Sequence, residues 1–413
     1  MPTFEELYSQ LPARTQTSII KVWESLPESE RKNLQNLFIG FPLETNLNKL
    51  LLDLSIQQVR LAFGQKHRVV IVGPANVGKS TLYNQLVRSK TDLAEVSPIP
   101  GTTRVSQEAD AGLFAVIDTP GADAVGEVGD AEKRLALESA RHSDFLIILF
   151  DAIQGIKKSE TELFDELVNL EKPYLVAVNK VDLVKKEEAK IIQLAARNLN
   201  INPEHVIPIV AKDGKNLERL LLTIAATEPG IVAALGQAMP QYRWQLAWRA
   251  IMSAASLSAV IALMPLPFID FAPLAITQAA MVLSIARIYN YNITLERAKE
   301  LLATFGFGFL GRTLFMELSK LGGIPGWVLG TAIATSITVA MGYAASIWFE
   351  KGEKITSESL KKITQNTTNL MIESIKKLGI RKPSQKKLQE IVIDSLESAT
   401  MSEDRSILDK QVD

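Results

Sequence analysis

The chain has 413 residues, more than one ordinary domain contains, so we expect two to four domains. Its 45 Lys and Arg residues nearly balance its 46 Asp and Glu residues, and the net charge of -1 gives no support to a protein that binds nucleic acid through its overall charge. The absence of cysteine excludes disulfides, zinc-cysteine clusters and thiol nucleophiles. The first residues, MPTFEELYSQ, lack the continuous apolar core of a secretory signal peptide.

Residues 1–65 are predicted to form a small helical domain. They contain no Gly-rich turns, and Leu50, Leu54 and Leu61 recur at helical spacing between polar faces.

Residues 66–228 alternate short apolar runs with amphipathic stretches. The apolar runs are RVVIVG, LFAVIDTPG, DFLIILFDA, PYLVAVNKVD and HVIPIVAKDG. Strands that alternate with helices favour an α/β domain, in which a mostly parallel sheet carries helices on both faces. Ligands of such sheets bind at the carboxyl ends of the strands, where all the motifs described next are expected.

The segment after the first strand, Gly73–Ser80, has the sequence GPANVGKS and precedes a helical stretch. This Gly-x-x-x-x-Gly-Lys-Ser pattern, between a strand and a helix, is typical of a phosphate-binding loop. Backbone N–H groups and the helix N-terminus bind the phosphates, Lys79 adds a cation, and Ser80 is expected to ligate magnesium. The alternative is a chance Gly-rich turn.

Two further motifs end later strands. Asp118 begins Asp-Thr-Pro-Gly, where the carboxylate can hold magnesium through water and the Gly121 amide can reach the terminal phosphate. Asn179 begins Asn-Lys-Val-Asp, where the Asp182 carboxylate can accept hydrogen bonds from N1–H and the exocyclic amine of guanine. Adenine lacks that pair of donors, so the predicted ligand is a guanine nucleotide.

These three motifs, in this order, resemble those of Era-like GTPases (TrmE-Era-EngA type) over about 160 residues. The resemblance implies GTP hydrolysis with magnesium, held by Ser80, Asp118 and Thr103 of a switch I segment, Pro100–Arg104. It also assigns VAKDG as the last loop that contacts the base. The nucleotide-binding residues expected on this basis are Gly73, Asn76, Val77, Gly78, Lys79, Ser80, Thr81, Gly121, Asn179, Lys180, Asp182, Ala211 and Lys212.

The resemblance also bears on mechanism. Ala122 follows Asp-Thr-Pro-Gly, where Ras-like enzymes have the glutamine that orients water, so intrinsic hydrolysis is expected to be slow. In this family, an asparagine at the position of Asn76 belongs to members that bind potassium against the phosphates, which predicts potassium stimulation. Lys79, Asn76 and Thr103 are therefore the expected catalytic residues. The alternative role of Asn76 is to cap the loop by hydrogen bonding.

Residues 229–352 are strongly apolar. Residues 250–286 contain a single charged residue, Asp270, and residues 321–349 contain none. A span requires about 20 apolar residues, so the second stretch qualifies as a membrane helix. Prolines near Asp270 divide the first stretch into two short arms, which leaves three alternatives: one span, a re-entrant hairpin, or a buried helical pair in a soluble protein.

This region resembles a poorly characterised domain family that follows GTPase domains and is expected to have two membrane helices. The matching elements are Pro265, Pro267 and Asp270, followed by Ile324, Pro325 and Gly326. The resemblance supports a membrane protein that contacts lipid, and because GTP is cytosolic, the GTP-binding domain is expected to face the cytoplasm. Residues 353–413 form an amphipathic tail that either lies on an anionic leaflet or packs on the N-terminal domain.

The functional prediction is a membrane-associated, potassium-stimulated GTPase that switches between GTP and GDP forms. By resemblance it pairs as a homodimer through its GTP-binding domain. Three alternatives stay open: a dynamin-like membrane-remodelling enzyme, a soluble ribosome-assembly GTPase, and a nucleotide-dependent scaffold with negligible hydrolysis. No direct nucleic-acid binding is expected, because the sequence contains no basic RNA-binding domain.

Overall fold

The computed structural model describes residues 68–74, 76–88, 103–104, 113–118, 137–138, 140–184, 187–263, 272–292, 324–379 and 382–401. The helical domain predicted for residues 1–65 and the element from Pro265 to Asp270 lie outside these residues. The chain divides into two compact units. The first contains residues 65–94 and 106–243, and the second contains residues 95–105 and 244–413.

The described strands and α-helices are numbered in chain order. The strands are β1 (Val69–Gly73), β2 (Thr103–Arg104), β3 (Phe114–Asp118), β4 (Phe145–Asp151), β5 (Tyr174–Asn179), β6 (Val206–Pro208) and β7 (Tyr291–Asn292). The helices are α1 (Lys79–Arg88), α2 (Lys158–Val168), α3 (Glu188–Asn198), α4 (Leu217–Thr227), α5 (Val232–Ala238), α6 (Arg243–Leu263), α7 (Ala272–Ile288), α8 (Gly326–Lys351), α9 (Ser357–Lys376) and α10 (Gln385–Met401).

The first unit is built on a five-stranded sheet in the order β3-β1-β4-β5-β6, with every pairing parallel. Its central strands β1 and β4 are fully buried and, apart from Asp151 at the end of β4, apolar, as expected of a sheet covered on both faces. Helix α1 contacts β1 and β3, and α4 contacts β5. Side chains of α2 and α3 pack into the core with alternate residues of β1, β4 and β5. The predicted α/β architecture is confirmed.

Gly73, the last residue of β1, lies unusually close to the neighbouring strand. A Cβ atom at this position would overlap the backbone carbonyl oxygen of Leu149 in β4. Since both strands are in the middle of the sheet, neither can shift without disturbing its other neighbours. Glycine therefore allows β1 to end at the position where the phosphate-binding loop begins.

The second unit is largely helical. Helix α8 contacts α7 and α9, and α9 contacts α10. Helix α6 runs antiparallel to α8: Trp244 meets Tyr343 edge-on at a ring-centroid distance of 5.7 Å, and a Cβ on Gly330 would lie 3.9 Å from the Ala262 carbonyl oxygen. Inside the unit, the Thr338 hydroxyl donates to Ser258 Oγ (2.9 Å) and accepts from Gln278 Nε2 (3.2 Å). This polar contact joins α6, α7 and α8.

Two segments of the described residues, 240–263 and 326–351, are long and apolar enough to cross a membrane. In the structure, 83% and 89% of the most apolar 18-residue stretch of each segment is buried inside the protein. Core helices of soluble proteins meet the same criterion of length and composition. The apolar character predicted from the sequence is therefore present, and both helices are largely covered by protein.

The amphipathic tail supplies much of that cover. Leu360, Ile363 and Ile375 of α9 are buried, and α9 packs along α8. Helix α10 follows α6: Arg249 pairs with Glu397 (3.8 Å), and Lys382, just before α10, donates to the Leu263 carbonyl at 3.4 Å. The sequence suggested a leaflet or the N-terminal domain as the partner of the tail. The structure shows that its apolar face packs on the apolar helices, and the N-terminal residues 1–65 lie outside the described residues.

Candidate functional site

The phosphate-binding loop begins at the buried carboxyl end of β1 and leads into α1. Asn76 and Gly78 have positive φ angles of 63° and 99°, which turn the chain sharply before the helix. Lys79 is 3% exposed, and its Nζ donates to the carbonyls of Gly73 (2.7 Å) and Pro74 (2.5 Å). The side-chain ammonium thus lies against the two carbonyls at the start of the loop.

The first turn of α1 presents Ser80 and Thr81, both exposed. The amide groups of a first helical turn have no partner within the helix, and together with the helix dipole they favour a bound anion. A phosphate at this end would therefore meet backbone donors, the Lys79 ammonium and the Ser80 hydroxyl.

The strand that ends in Asp118 lies directly beside the phosphate-binding loop. In the parallel pairing of β1 with β3, Asp118 is opposite Gly73. Gly121, which was predicted to reach the terminal phosphate, lies outside the described residues. Hydroxyl and carboxylate oxygens are the ligand type that magnesium prefers, which is the basis for predicting Ser80 and Asp118 as its ligands. Among the described residues, no group of three or more His, Asp or Glu side chains forms a metal cluster.

Thr103, the predicted switch I ligand, is described only through its strand pairing. It belongs to β2, which is part of the second unit, and it pairs antiparallel with Asn292 of β7.

Asn179 links three segments of the site. Its Nδ2 donates to the Val77 carbonyl of the phosphate-binding loop at 2.8 Å, and its Oδ1 accepts from the Ala211 amide at 2.9 Å. The side chain is 3% exposed, and both ends of its amide group are used. A single residue thus fixes the phosphate-binding loop relative to the VAKDG loop.

Lys180 makes a second connection to the phosphate-binding loop. Its Nζ donates to the Asn76 carbonyl at 2.7 Å and forms an ion pair with Asp151 Oδ2 at 2.6 Å. Asp151 is the last residue of β4 and lies opposite Asn179 in the sheet. Asp151 was not among the predicted site residues. The only signal for it in the sequence is an acidic residue at the end of the apolar run FLIILFD.

The remaining predicted base contacts surround the loop after β5. Asp182 lies in a short 3-10 helix, Val181–Val184, and is half-buried. Ala211 is buried and Lys212 is exposed, in a turn closed by a bridge between Val210 and Lys215. A carboxylate, two backbone turns and a lysine thus follow adjacent strands at one edge of the sheet, an arrangement that can bind a purine beside its phosphates.

Comparison with known proteins identifies the two regions separately. Residues 68–180 match the family described as 50S ribosome-binding GTPase, and residues 231–374 match a domain of unknown function, DUF697. The tRNA modification GTPase MnmE of Thermotoga petrophila is 34% identical over 186 residues, which cover 43% of this chain and 39% of MnmE. The GTPase Era of Aquifex aeolicus is 31% identical over 167 residues, which cover 38% of this chain and 54% of Era.

A crystal structure of Aquifex aeolicus Era bound to GDP.AlF4- also aligns, with 25% identity and a TM-score of 0.31 over 46% of this chain and 67% of Era. The chain spans about two fifths of MnmE and about half of Era in the sequence matches. Together with the motifs at the sheet edge, the family and sequence matches show that the chain joins a GTPase domain, similar to those of Era and MnmE, to a domain of unknown function.

Proposed function

We propose that this protein binds GTP with magnesium and hydrolyses it to GDP and phosphate, changing conformation between the two bound forms. The observation that carries the proposal is the pair of contacts made by Asn179, which joins the phosphate-binding loop to the Ala211 loop at one edge of the sheet. That geometry supports simultaneous binding of phosphates and base, as a guanine nucleotide requires.

In this proposal each side chain has one task. Lys79 neutralises the outer phosphates, Ser80 and Asp118 hold magnesium, and Asp182 selects guanine. Bound magnesium supplies positive charge to the β- and γ-phosphate oxygens. Hydrolysis then depends on positioning and electrostatic stabilisation, with no covalent intermediate on the protein. Thr103 as a further magnesium ligand and Gly121 as a phosphate contact are part of the proposal and rest on the resemblance to Era-like GTPases.

Potassium stimulation is part of the same proposal. Asn76 is exposed and has a positive φ angle, so its side chain is not committed to the interior of the loop. An amide oxygen is a suitable ligand for a hard cation beside the phosphates. Such a cation would supply charge that other GTPases obtain from an arginine.

The test is steady-state GTP hydrolysis by the full-length protein, in potassium and in sodium at equal ionic strength. Wild type is expected to be faster in potassium, and Asn76→Ala is expected to lose that difference. Equal rates for wild type in both salts would refute the potassium role. Absence of hydrolysis above background in either salt would refute the enzymatic proposal.

Base selection is tested by Asp182→Asn. An amide in place of the carboxylate offers a donor where guanine also has a donor, so GTP affinity should fall by tenfold or more. Affinity for xanthosine triphosphate, which has an acceptor there, should rise. Unchanged GTP affinity would exclude Asp182 as the base-reading carboxylate.

Membrane association is the second element of the proposal, with the GTP-binding domain on the cytoplasmic side. The two long apolar helices support it, whereas the burial of both helices under α9 and α10 supports the soluble alternative. Alkaline carbonate extraction of cell membranes separates them. Retention in the pellet is expected for a lipid-inserted protein, and complete release would sink the integral-membrane proposal.

A homodimer formed through the GTP-binding domain is also proposed, on the resemblance alone. Sedimentation of the protein with GDP and with a non-hydrolysable GTP analogue tests it. A monomer in both states would refute it.

A further inference from the structure

Asp151 is a buried acid with both carboxylate oxygens engaged. The residue is 3% exposed, at the carboxyl end of a strand that is otherwise apolar. Its Oδ1 accepts from the Ile153 amide at 2.7 Å, and its Oδ2 pairs with Lys180 Nζ at 2.6 Å. A buried carboxylate requires such partners, because an unpaired charge in the protein interior is strongly unfavourable.

Lys180 carries the effect of Asp151 to the phosphate-binding loop. The same ammonium that pairs with Asp151 donates to the Asn76 carbonyl at 2.7 Å. One residue earlier, Asn179 donates to the Val77 carbonyl at 2.8 Å. Two successive side chains at the carboxyl end of β5 therefore hold two successive carbonyls of the phosphate-binding loop, and Asp151 fixes the direction of one of them.

We propose that Asp151 is a positioning residue for guanine-nucleotide binding, which acts by holding the Lys180 side chain against the Asn76 carbonyl. This inference rests on the proposed function of the site. A lysine side chain loses substantial rotamer freedom when it is held in one position. An ion pair that orders Lys180 before the nucleotide arrives removes that cost from the binding step.

A purely structural ion pair would behave differently. Its loss would lower the stability of the protein, and the folded fraction would still bind nucleotide normally. A positioning role predicts faster nucleotide loss from protein that remains folded. It also predicts that the effect requires Lys180, whereas a structural effect of Asp151 has no such requirement.

The experiment measures the dissociation rate of fluorescent mant-GDP from full-length wild type, Asp151→Asn, Lys180→Met and the double variant. Melting temperatures are measured on the same samples. Asp151→Asn and Lys180→Met are each expected to accelerate dissociation about tenfold or more, the effect of one charge-assisted hydrogen bond. In the Lys180→Met background, Asp151→Asn should change the rate less than about twofold, because residues that act through one contact are not additive.

Asp144→Asn is the matched control. Asp144 lies just before the opposite end of β4, is half-buried, and its Oδ2 accepts from the Arg68 amide at 3.2 Å. The same chemical change at this end of the strand should leave mant-GDP dissociation at the wild-type rate.

Three results would overturn the inference. The first is wild-type dissociation from folded Asp151→Asn, and the second is acceleration by Asp151→Asn that is the same with and without Lys180. The third is wild-type dissociation from Lys180→Met, which decides the question even where Asp151→Asn does not fold. Failure of wild type to bind mant-GDP would instead overturn the proposed function, and this inference with it.

Discussion

Asn179 illustrates how one side chain can do more than its motif implies. The motif predicts a base-proximal asparagine, and the structure shows its amide bridging the phosphate-binding loop and the Ala211 amide. Aspartate could accept from Ala211, but it has no donor for the Val77 carbonyl. The chemistry of an amide, with one donor and one acceptor end, therefore explains the residue type at this position.

A glycine at the end of β1 is required by close packing, and Gly73→Ala should test this. The added methyl group would overlap the Leu149 carbonyl, and the central strands cannot separate to admit it. We expect the free energy of unfolding to fall by about 3 kcal/mol, at the upper end for overpacking in a core. Urea denaturation followed by circular dichroism measures the loss.

Gly155→Ala is the matched control for that substitution. Gly155 has a φ angle of 66°, and no atom lies within 4 Å of the position its Cβ would take. The cost there is only that of a left-handed backbone for alanine, about 1 kcal/mol. Equal losses of unfolding free energy in Gly73→Ala and Gly155→Ala would show that overlap with the Leu149 carbonyl does not destabilise the protein.

The residues of the site were predictable to the extent that their types are set by the ligand. Lys79, Ser80, Asn179 and Asp182 follow from what phosphates and guanine require at the ends of strands. Asp151 was not predictable, because its role depends on a lysine that follows the neighbouring strand. The position of Thr103 was not predictable either, because its pairing with Asn292 joins segments far apart in the chain.

At the level of secondary structure, the first turn of α2 contains a buried acid, Glu160. This acid should make the stability of the protein depend on pH. The Glu160 carboxylate accepts from the Lys157 amide at 3.2 Å and so caps the helix. Burial raises the pKa of Glu160 above its ordinary value of 4.5, an effect opposed by the Lys157 amide hydrogen bond and the Lys157 charge and increased by nearby Asp151. The folded state therefore holds the Glu160 proton more tightly than the unfolded state does.

A raised pKa fixes the sign of the pH dependence. The stabilisation due to the bound proton is fully present below pH 4.5 and is lost as pH rises through the higher folded pKa. Glutamine at this position keeps an acceptor for the Lys157 amide and does not titrate. The stability of Glu160→Gln relative to wild type should therefore increase as the pH rises from 4.5 through the folded pKa of Glu160.

Urea denaturation of Glu160→Gln and wild type at several pH values measures this change. Glu162→Gln, at an exposed position on the same helix, controls for the loss of a carboxylate from α2. A difference between Glu160→Gln and wild type that stays constant across this pH range would contradict the assignment.

The strands of the first unit were more predictable than the helical packing of the second. Short apolar runs that end in Gly or Asp mark β1, β3 and β4 directly, because both faces of a parallel sheet are buried. The amphipathic pattern of α9 identifies which face is apolar and not what covers it. Its packing on α8 became clear only from the structure.

At the scale of the whole molecule, each compact unit has its own buried core. The first is built on the parallel sheet, and the second on helices α6 to α10. A sequence reports only that a helix avoids water, since lipid and a protein interior are both apolar. Residues 321–349 were predicted to form a membrane helix on this ground, and the structure adds that protein covers most of residues 326–351.

Helix α8 of the second unit contains one tightly surrounded glycine and one with room beside it. Alanine at these two positions should therefore change the stability of the unit in opposite directions. A Cβ on Gly342 of α8 would overlap Ile251 of α6 and approach Met281 of α7, whereas a Cβ on Gly330 would meet only the Ala262 carbonyl at 3.9 Å. Alanine is more favourable than glycine in a helix by about 1 kcal/mol. We expect Gly330→Ala to stabilise the unit by up to about 1 kcal/mol, and Gly342→Ala to destabilise it by about 1–2 kcal/mol because overpacking exceeds the helix gain.

Tryptophan fluorescence is the suitable measurement, because four of the five tryptophans (Trp244, Trp248, Trp327 and Trp348) lie in this unit and residues 65–243 contain none. Urea denaturation followed at this signal should move to lower concentration for Gly342→Ala and to higher concentration for Gly330→Ala. Binding of mant-GDP, which reports on the first unit, should stay at the wild-type level in both variants. Shifts of the same sign in the two variants would mean that α6, α7 and α8 do not meet at Gly342, and that the apolar helices pack differently from the arrangement described.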